Sequence, residues 1–368
     1  MTGNAARRAH LVGLGLVGSS IGLGLRARGF EEVSGEDLDE SRAARALALG
    51  AVDRVGPPED AEIAFVATPA ASVVPVARRL LEHASASGSR LVVSDVAGVK
   101  GPIAGELADP GFVPGHPMAG SEQEGPDGAD PDLFVGATWV LTPTERTDEV
   151  AYAVVREAVT TLGADVIVLS PERHDELVAV VSHVPHLTSA ALMSLAVESA
   201  VDRESLMRLA AGGFRDMTRI AAGSAGIWPD ICRDNSGAIV PVLDHLIERL
   251  GEVRRIVAES DRSALVQMLE GARAARQNLP ARGARPKETC ELRVVVPDRP
   301  GVLAEVTSIA GRLGSNIYDI EIAHSAEGPR GVLLLVVAGS EAQSLSAALR
   351  EAGYRVAASS AEGSAVAT

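Results

Sequence analysis

Residues 9–29 read AHLVGLGLVGSSIGLGLRARG, a short apolar strand that enters a helical pattern through Gly13-x-Gly15-x-x-Gly18. That order, strand then spaced glycines then helix, is what a dinucleotide-binding α/β fold requires. Gly13 permits a tight turn, Gly15 lets the backbone approach a pyrophosphate, and Gly18 lets the helix pack closely on the strand. The anion is then expected on the unpaired amides of the helix start, those of Leu16 and Val17 among them. A second strand, EEVSGED (31–37), follows and ends in Asp37, about 20 residues past the last glycine, where the ribose-binding acid belongs. A carboxylate there accepts from the 2′ and 3′ hydroxyls and repels a 2′-phosphate, so NAD is expected in preference to NADP. A plainer reading, a solvated acidic loop of Glu36, Asp37 and Asp39, stays open, and Arg42 nearby keeps NADP open as well.

Outward from this stretch the α/β rhythm continues. AEIAFVATP (61–69) and RLVVSDVAG (90–98) read as buried strands with helical segments between them, and ATWVLTP (137–143) and ADVIVLSP (164–171) extend the same sheet to about residue 170. In a doubly wound parallel sheet the ligand lies at the carboxyl ends of the strands, so the loops beginning at Thr68, Asp95 and His116 should converge on one crevice. His116 sits in PGHPMAG (114–120), too irregular for a helix and too short for a strand, and Pro117 biases it toward an extended conformation at the mouth of that crevice. A loop histidine bonded to backbone would look the same.

The chain has 368 residues, enough for two or three domains. Its formal net charge of -15 disfavours phosphate backbones and anionic membranes, so neither nucleic acid nor membrane is an expected partner. Two cysteines far apart, and no charged-then-apolar leader at the start, point to the reducing cytoplasm. The apolar runs, such as the one after Gly331, read as buried strands too short to span a bilayer.

From residue 171 the texture changes. PERHDELVAVVSHVPHLTSAALMSLAVESA (171–200) carries a helical pattern interrupted by Pro185, with Ser182 and His186 at i,i+4 and His183 and His186 at i,i+3. No carboxylate or cysteine completes a metal site around these histidines, so no metal is expected. GGFRDMTRIAAGSAGIWPDICRDN (212–235) places Arg215 and Arg219 one turn apart, and helical stretches continue to about 278, giving a helical second domain over 171–280. After the linker RQNLPARGARPKET (276–289), residues 288–360 read strand, helix, strand, strand, helix, strand, an α+β module, and 361–368 form a small polar tail.

GHPMAG (115–120), VSHVPH (181–186) and GGFRDMTRIA (212–221), in this order after the glycine loop, resemble the prephenate and arogenate dehydrogenases of tyrosine biosynthesis. VPDRPGVLAEV (296–306) resembles the opening of an ACT regulatory domain. The resemblance implies a Rossmann-type domain over 1–170, a helical dimerisation domain over 171–280, an ACT domain over 288–360, and a homodimer. It implies NAD-dependent oxidation of a cyclohexadiene 4-hydroxyl with loss of the ring carboxylate as CO2, prephenate or arogenate being the substrate. His116 matches the catalytic histidine and Arg219 the arginine that holds a substrate carboxylate. Ser121, Ser182, His186 and Gly212 match residues lining the substrate pocket, and Trp228 matches a tryptophan contributed from the partner subunit. In SDVAGVKG (94–101) the family often carries a serine, which orients the catalytic histidine, where this chain has Gly98. Gly301 and Asn316 fall where ACT domains bind an amino acid, tyrosine being the expected effector. Two other classes stay open: a 3-hydroxyacid or imine-type dehydrogenase of similar plan, and a non-catalytic NAD-binding amino-acid sensor.

Overall fold

The structure is a computed structural model, and it describes residues 7–120, 123–199, 210, 212–223, 225–277, 289–297, 299–324 and 330–360. The chain divides into two compact units, residues 1–262 and 263–368.

The first unit starts with β1 (Arg8–Val12), α1 (Leu16–Ala27), β2 (Glu32–Glu36), α2 (Glu40–Ala48), β3 (Arg54–Val55) and β4 (Ile63–Val66). It continues with α3 (Ala70–Ser87), β5 (Val92–Asp95), α4 (Gly101–Glu106) and β6 (Phe112–Val113). The six strands form one parallel sheet in the order β3-β2-β1-β4-β5-β6. The strand order reverses between β1 and β4, and there, outside the carboxyl ends of the strands, an α/β sheet offers its ligand crevice. Burial on both faces explains why β4 (IAFV) reads as a continuous apolar run without alternation. One face buries Leu11, Ile21, Leu25, Val33 and Phe65; the other buries Val66, Val73, Ala77, Leu80 and Val93. Each such side chain contributes about 1.5–3 kcal/mol relative to exposure.

The sheet does not extend to residue 170 as the apolar runs suggested. β7 (Gly115–Pro117), β8 (Thr138–Leu141) and β9 (Asp165–Val168) form a separate three-stranded sheet, β7 antiparallel to β8 and β8 parallel to β9. Pro114 stands between β6 and β7 and has no N–H to carry a ladder onward, so the chain changes sheets there. α5 (Glu149–Thr161), capped by Asp148, packs the second sheet into the first core through Val155, Val159 and Trp139.

α6 (Pro171–Val178) starts on a Ser170 cap with Pro171 in its first turn. It passes through a π turn, Ala179–His183, into α7 (Val184–Ser199). A window of Pro171–Glu198 is apolar enough to cross a membrane by length and composition, mean hydropathy 1.4, which the expectation of only short apolar runs had missed. That same run buries His174, Asp175 and His183. α8 (Gly212–Thr218), a 3-10 turn at Arg219–Ala222, α9 (Trp228–Asp234) and α10 (Ser236–Ala258) complete the unit. Compactness divides the chain after residue 262 and not at 170, and the helical stretches expected to continue to about 278 are separated at Ser260, where φ is +54°.

The second unit contains α11 (Arg262–Gln277), expected in the helical domain but grouped instead with the C-terminal sheet. After it come β10 (Thr289–Pro297), α12 (Val302–Arg312), β11 (Ile317–His324), β12 (Arg330–Ala338), α13 (Gly339–Glu351) and β13 (Arg355–Ser360). This is the expected βαββαβ order. Its antiparallel sheet runs β11-β12-β10-β13. Leu292, Val294 and Val296 alternate inward and meet Leu333, Leu335, Val306, Leu345 and Leu349 in a core of their own. Expected features at 278–288 and 361–368 lie outside the described residues.

Candidate active site

The glycine loop has the geometry of a cradle for a diphosphate. Gly13 holds φ +92°, and a Cβ there would meet the Ala67 carbonyl oxygen at 2.5 Å, so only glycine fits. A Cβ on Gly18 would strike the Gly13 oxygen, which is why α1 can lie so close to β1. Nothing lies within 4 Å of a Cβ built on Gly15. Gly15 also caps α1 without a side-chain bond, so the helix-start amides beside Leu16 and Val17 face open space, ready for an anion. Asp37, just past the end of β2, accepts from the Leu14 amide at 2.7 Å and from the Asp39 amide at 2.9 Å. Arg42 stands 3.8 Å from it. A carboxylate has about four acceptor positions, so capacity for ribose hydroxyls remains. At the end of β4, Thr68 buries its Oγ1 without a partner, a polar atom aimed at nothing within the chain. These residues fit a dinucleotide.

Asp95 does not serve the cofactor as expected. It is fully buried, and its oxygens are taken by the Ala97 amide at 2.9 Å, the Gly115 amide at 3.1 Å and the Lys100 ammonium. Lys100, also fully buried, donates in addition to the Gly115 carbonyl at 2.8 Å. Burial lowers the Lys100 pKa, and Asp95 and Asp175 oppose that shift. Both backbone groups of Gly115 are thus held by one ion pair, and the next residue is His116.

His116 is half-buried, and its Nδ1 lies 2.9 Å from Nε2 of His174. The two rings meet edge to face, 5.1 Å between centroids. His174 Nδ1 lies 2.8 Å from Asp175 Oδ1. Asp175 in turn accepts from the Lys100 amide at 2.8 Å and the Gly101 amide at 2.7 Å, tying α6 to the loop after β5. The Asn235 amide nitrogen donates to the Asp175 carbonyl at 3.0 Å and lies 3.1 Å from His183 Nδ1. Desolvation, then the fields of His174, Lys100 and His183, push the His116 pKa well below the ordinary imidazole value, so the ring is neutral at neutral pH. A Cβ on Gly98 would lie 3.7 Å from His116 Cε1 and Nε2, so this flank of the ring borders a residue without a side chain.

The helical side is looser. His186 stacks on Trp228, 3.7 Å between centroids, and Trp228 meets His183 edge-on. Trp228 thus packs against His183 and His186 of its own chain. Ser182 is half-buried in the π turn. That turn alters the expected faces: His183 is buried while Ser182 is not. Gly212 opens α8 and is exposed. Arg219 is exposed and lines a groove of about 590 Å3 with Val184, Pro185, Thr188 and Ile220. His116, His183 and His186 do not line that groove. Ser121 lies outside the described residues. In the second unit Gly301 caps α12 with φ +87° and open space around it, and the Asn316 amide donates to Glu341 at 3.2 Å.

Sequence reasoning missed Lys100, His174, Asp175 and Asn235. The adjacent His-Asp pair in the first turns of a capped helix, and a lysine five residues after a strand-end aspartate, were the available signals.

Comparison with known proteins sets a profile boundary at residues 168–170, inside the first compact unit. The family profile described as "Prephenate dehydrogenase, nucleotide-binding domain" matches residues 21–168, and "Prephenate dehydrogenase, dimerization domain" matches 170–271. The chain is similar to the prephenate dehydrogenase of Bacillus subtilis, 34% identical over 339 residues, covering 88% of this chain and 90% of the relative. Among solved structures, it resembles prephenate dehydrogenase from A. aeolicus in complex with hydroxyphenyl propionate and NAD+, with TM-score 0.68 and 27% identity. That match covers 74% of this chain and 98% of the other. It also resembles Synechocystis arogenate dehydrogenase, with TM-score 0.63 and 31% identity over 73% and 98% of the two chains. Glycine cradle, buried histidine relay and these likenesses agree: the chain belongs to the prephenate dehydrogenase family.

Proposed function

We propose that this chain is an NAD-dependent prephenate dehydrogenase, and that His116 is its general base. The observation that carries the reading is a neutral, half-buried imidazole on a clamped strand of the unit that holds the dinucleotide cradle. Gly13, Gly15, Gly18, the amides of Leu16 and Val17, Asp37 and Thr68 would hold NAD, whose nicotinamide supplies the hydride acceptor. His116 takes the proton of the ring hydroxyl as hydride leaves the same carbon. The carbonyl so formed draws the electron pair of the ring–carboxylate bond into the ring, CO2 departs, and the oxygen regains a proton as a phenol. Aromatisation drives this loss, so a base and correct placement suffice. Arg219 would hold a substrate carboxylate with its planar fork, and Ser121, Ser182, His186, Gly212 and Trp228 would line the remainder of the pocket.

The likeness to an arogenate dehydrogenase supports arogenate as an alternative substrate. Steady-state NADH formation from prephenate and from arogenate, with NAD and with NADP, tests the reading; prephenate with NAD is expected to give the highest kcat/KM, and no turnover of either substrate would overturn it. We further propose that the enzyme works in the cytoplasm as a homodimer through its 171–280 region, for which the matched dimerization profile is the support. Residues 288–360 are proposed as an ACT domain that binds tyrosine beside Gly301 and Asn316, supported by the βαββαβ order and the open α12 start. Tyrosine binding measured calorimetrically on the full chain checks this.

A further inference from the structure

We infer that His174 is a positioning residue that fixes the ring tautomer of His116, so that His116 presents a bare Nε2 to substrate. The inference rests on the reading of His116 as the base. It comes from a proton count that begins at Asp175. That carboxylate can only accept, and it already takes the amides of Lys100 and Gly101. The nitrogen facing it, His174 Nδ1, must therefore carry a hydrogen. With His174 taken as the neutral ring, its one proton is then on Nδ1, which leaves Nε2 as an acceptor. The atom that meets Nε2 is His116 Nδ1, which must then be the donor. His116, neutral, has no second proton, and its Nε2 keeps a lone pair. That nitrogen is on the flank beside Gly98, a residue with no side chain of its own to bond it.

Isolated imidazoles carry the proton on either nitrogen, and which one is set by the bond the other makes. A base with its proton on the wrong nitrogen cannot accept one from substrate. The consequence of a wrong tautomer is large wherever a histidine serves as base. In this chain the task of orienting the ring falls to a histidine from α6, anchored 58 residues away in sequence, and not to a hydroxyl at position 98. Because His174 is fully buried and Asp175 is held by two backbone amides, neither ring can turn without leaving a buried polar group unsatisfied.

The test uses the full chain with ring-15N histidine and long-range proton–nitrogen spectra, His116→Asn serving to assign the His116 signals. Expected for the unaltered protein are a protonated Nδ1 and an unprotonated Nε2 on His116. His174→Phe is expected to move the His116 proton to Nε2 and to lower kcat by about 10-fold or more, with the KM for NAD unchanged. His174→Gln, whose amide oxygen can accept near the former Nε2, is expected to recover kcat to within about threefold of the parent. A protonated Nε2 on His116 in the unaltered protein overturns the inference, as does a His174→Phe protein with parental tautomer and kcat. If His174→Phe does not fold, the parental spectrum and His174→Gln decide. Parental turnover in His116→Asn would instead overturn His116 as the base, an outcome separate from the spectrum.

Discussion

The strand side and the helical side of the first unit hold their functional groups by opposite means. On the strand side, His116 comes directly after a glycine whose amide and carbonyl are bound by a fully buried ion pair, and its ring is bound by a second buried pair from α6. On the helical side, α8 buries no residue and Arg219 is exposed on an open groove. The contrast teaches that placement of the imidazole proposed as base is built into the chain's own core, whereas the arginine proposed to grip the substrate stands at the surface. Turnover and substrate affinity should therefore fail separately when each side is altered.

The largest effect should come from the strand side. His116→Asn is expected to lower kcat by about 10²- to 10⁴-fold with NAD affinity by calorimetry within about twofold of the parent. Turnover close to parental would remove the contrast at its root. Next is Lys100→Met, which leaves the Asp95 charge buried without its partner and should cost about 3–5 kcal/mol of stability in denaturant unfolding. A cost below about 1 kcal/mol, the size expected of a surface pair, would show that the strand side is not rigidly clamped.

On the helical side, Arg219→Ala is expected to raise the substrate KM by about 10- to 100-fold, the loss of a charge-assisted pair, while kcat changes far less. Lysine at 219 should rescue poorly because it lacks the planar fork. A KM indifferent to both changes would leave the groove without a substrate role. Asp37→Ser should have a smaller effect, narrowing the preference for NAD over NADP by removal of one charge at the ribose. The smallest change is one of position on the pH axis. His116 must be neutral to act, and burial lowers its pKa, so activity lost on acidification should be lost below the ordinary imidazole value of about 6.5. An acid limb of kcat/KM above pH ~6.5 would contradict the buried environment of the base.

Where the determinants are local, the sequence carried them. The glycine loop specifies its turn, helix start and close packing within six residues, and Asp37 follows at fixed distance because one helix and one strand fill the gap. His116 stood out because two prolines and two glycines suit no ordinary helix, yet the stretch expected to be too short for a strand forms the three-residue β7, with His116 opposite Val140 of β8. Its partners were hidden for the opposite reason. His174 lies 58 residues away, and Asn235 lies 60 residues beyond Asp175; nothing in either local pattern names its counterpart. Asp95 was misread because a strand-end carboxylate can face the crevice or the core, and the choice depends on Lys100 folding back beneath it. The change of sheets at Pro114 was equally illegible in β8 and β9, whose apolar runs suit either sheet.

The junction of α6 and α7 sets how this site can change over time. Across the π turn, inward positions fall at Val178 and His183, five residues apart, where an ordinary α-helix would bring Ser182 round instead. The wide turn stores one extra residue. Loss of a single codon between 179 and 182 would convert it to plain helix and bring His183 to four residues after Val178, the spacing at which an ordinary α-helix keeps both on one face. His186 would keep facing Trp228, and His183 would keep facing Asn235. The π turn therefore lets this chain gain or lose one residue here without changing which downstream side chains face inward, a tolerance that position-by-position substitution does not reveal.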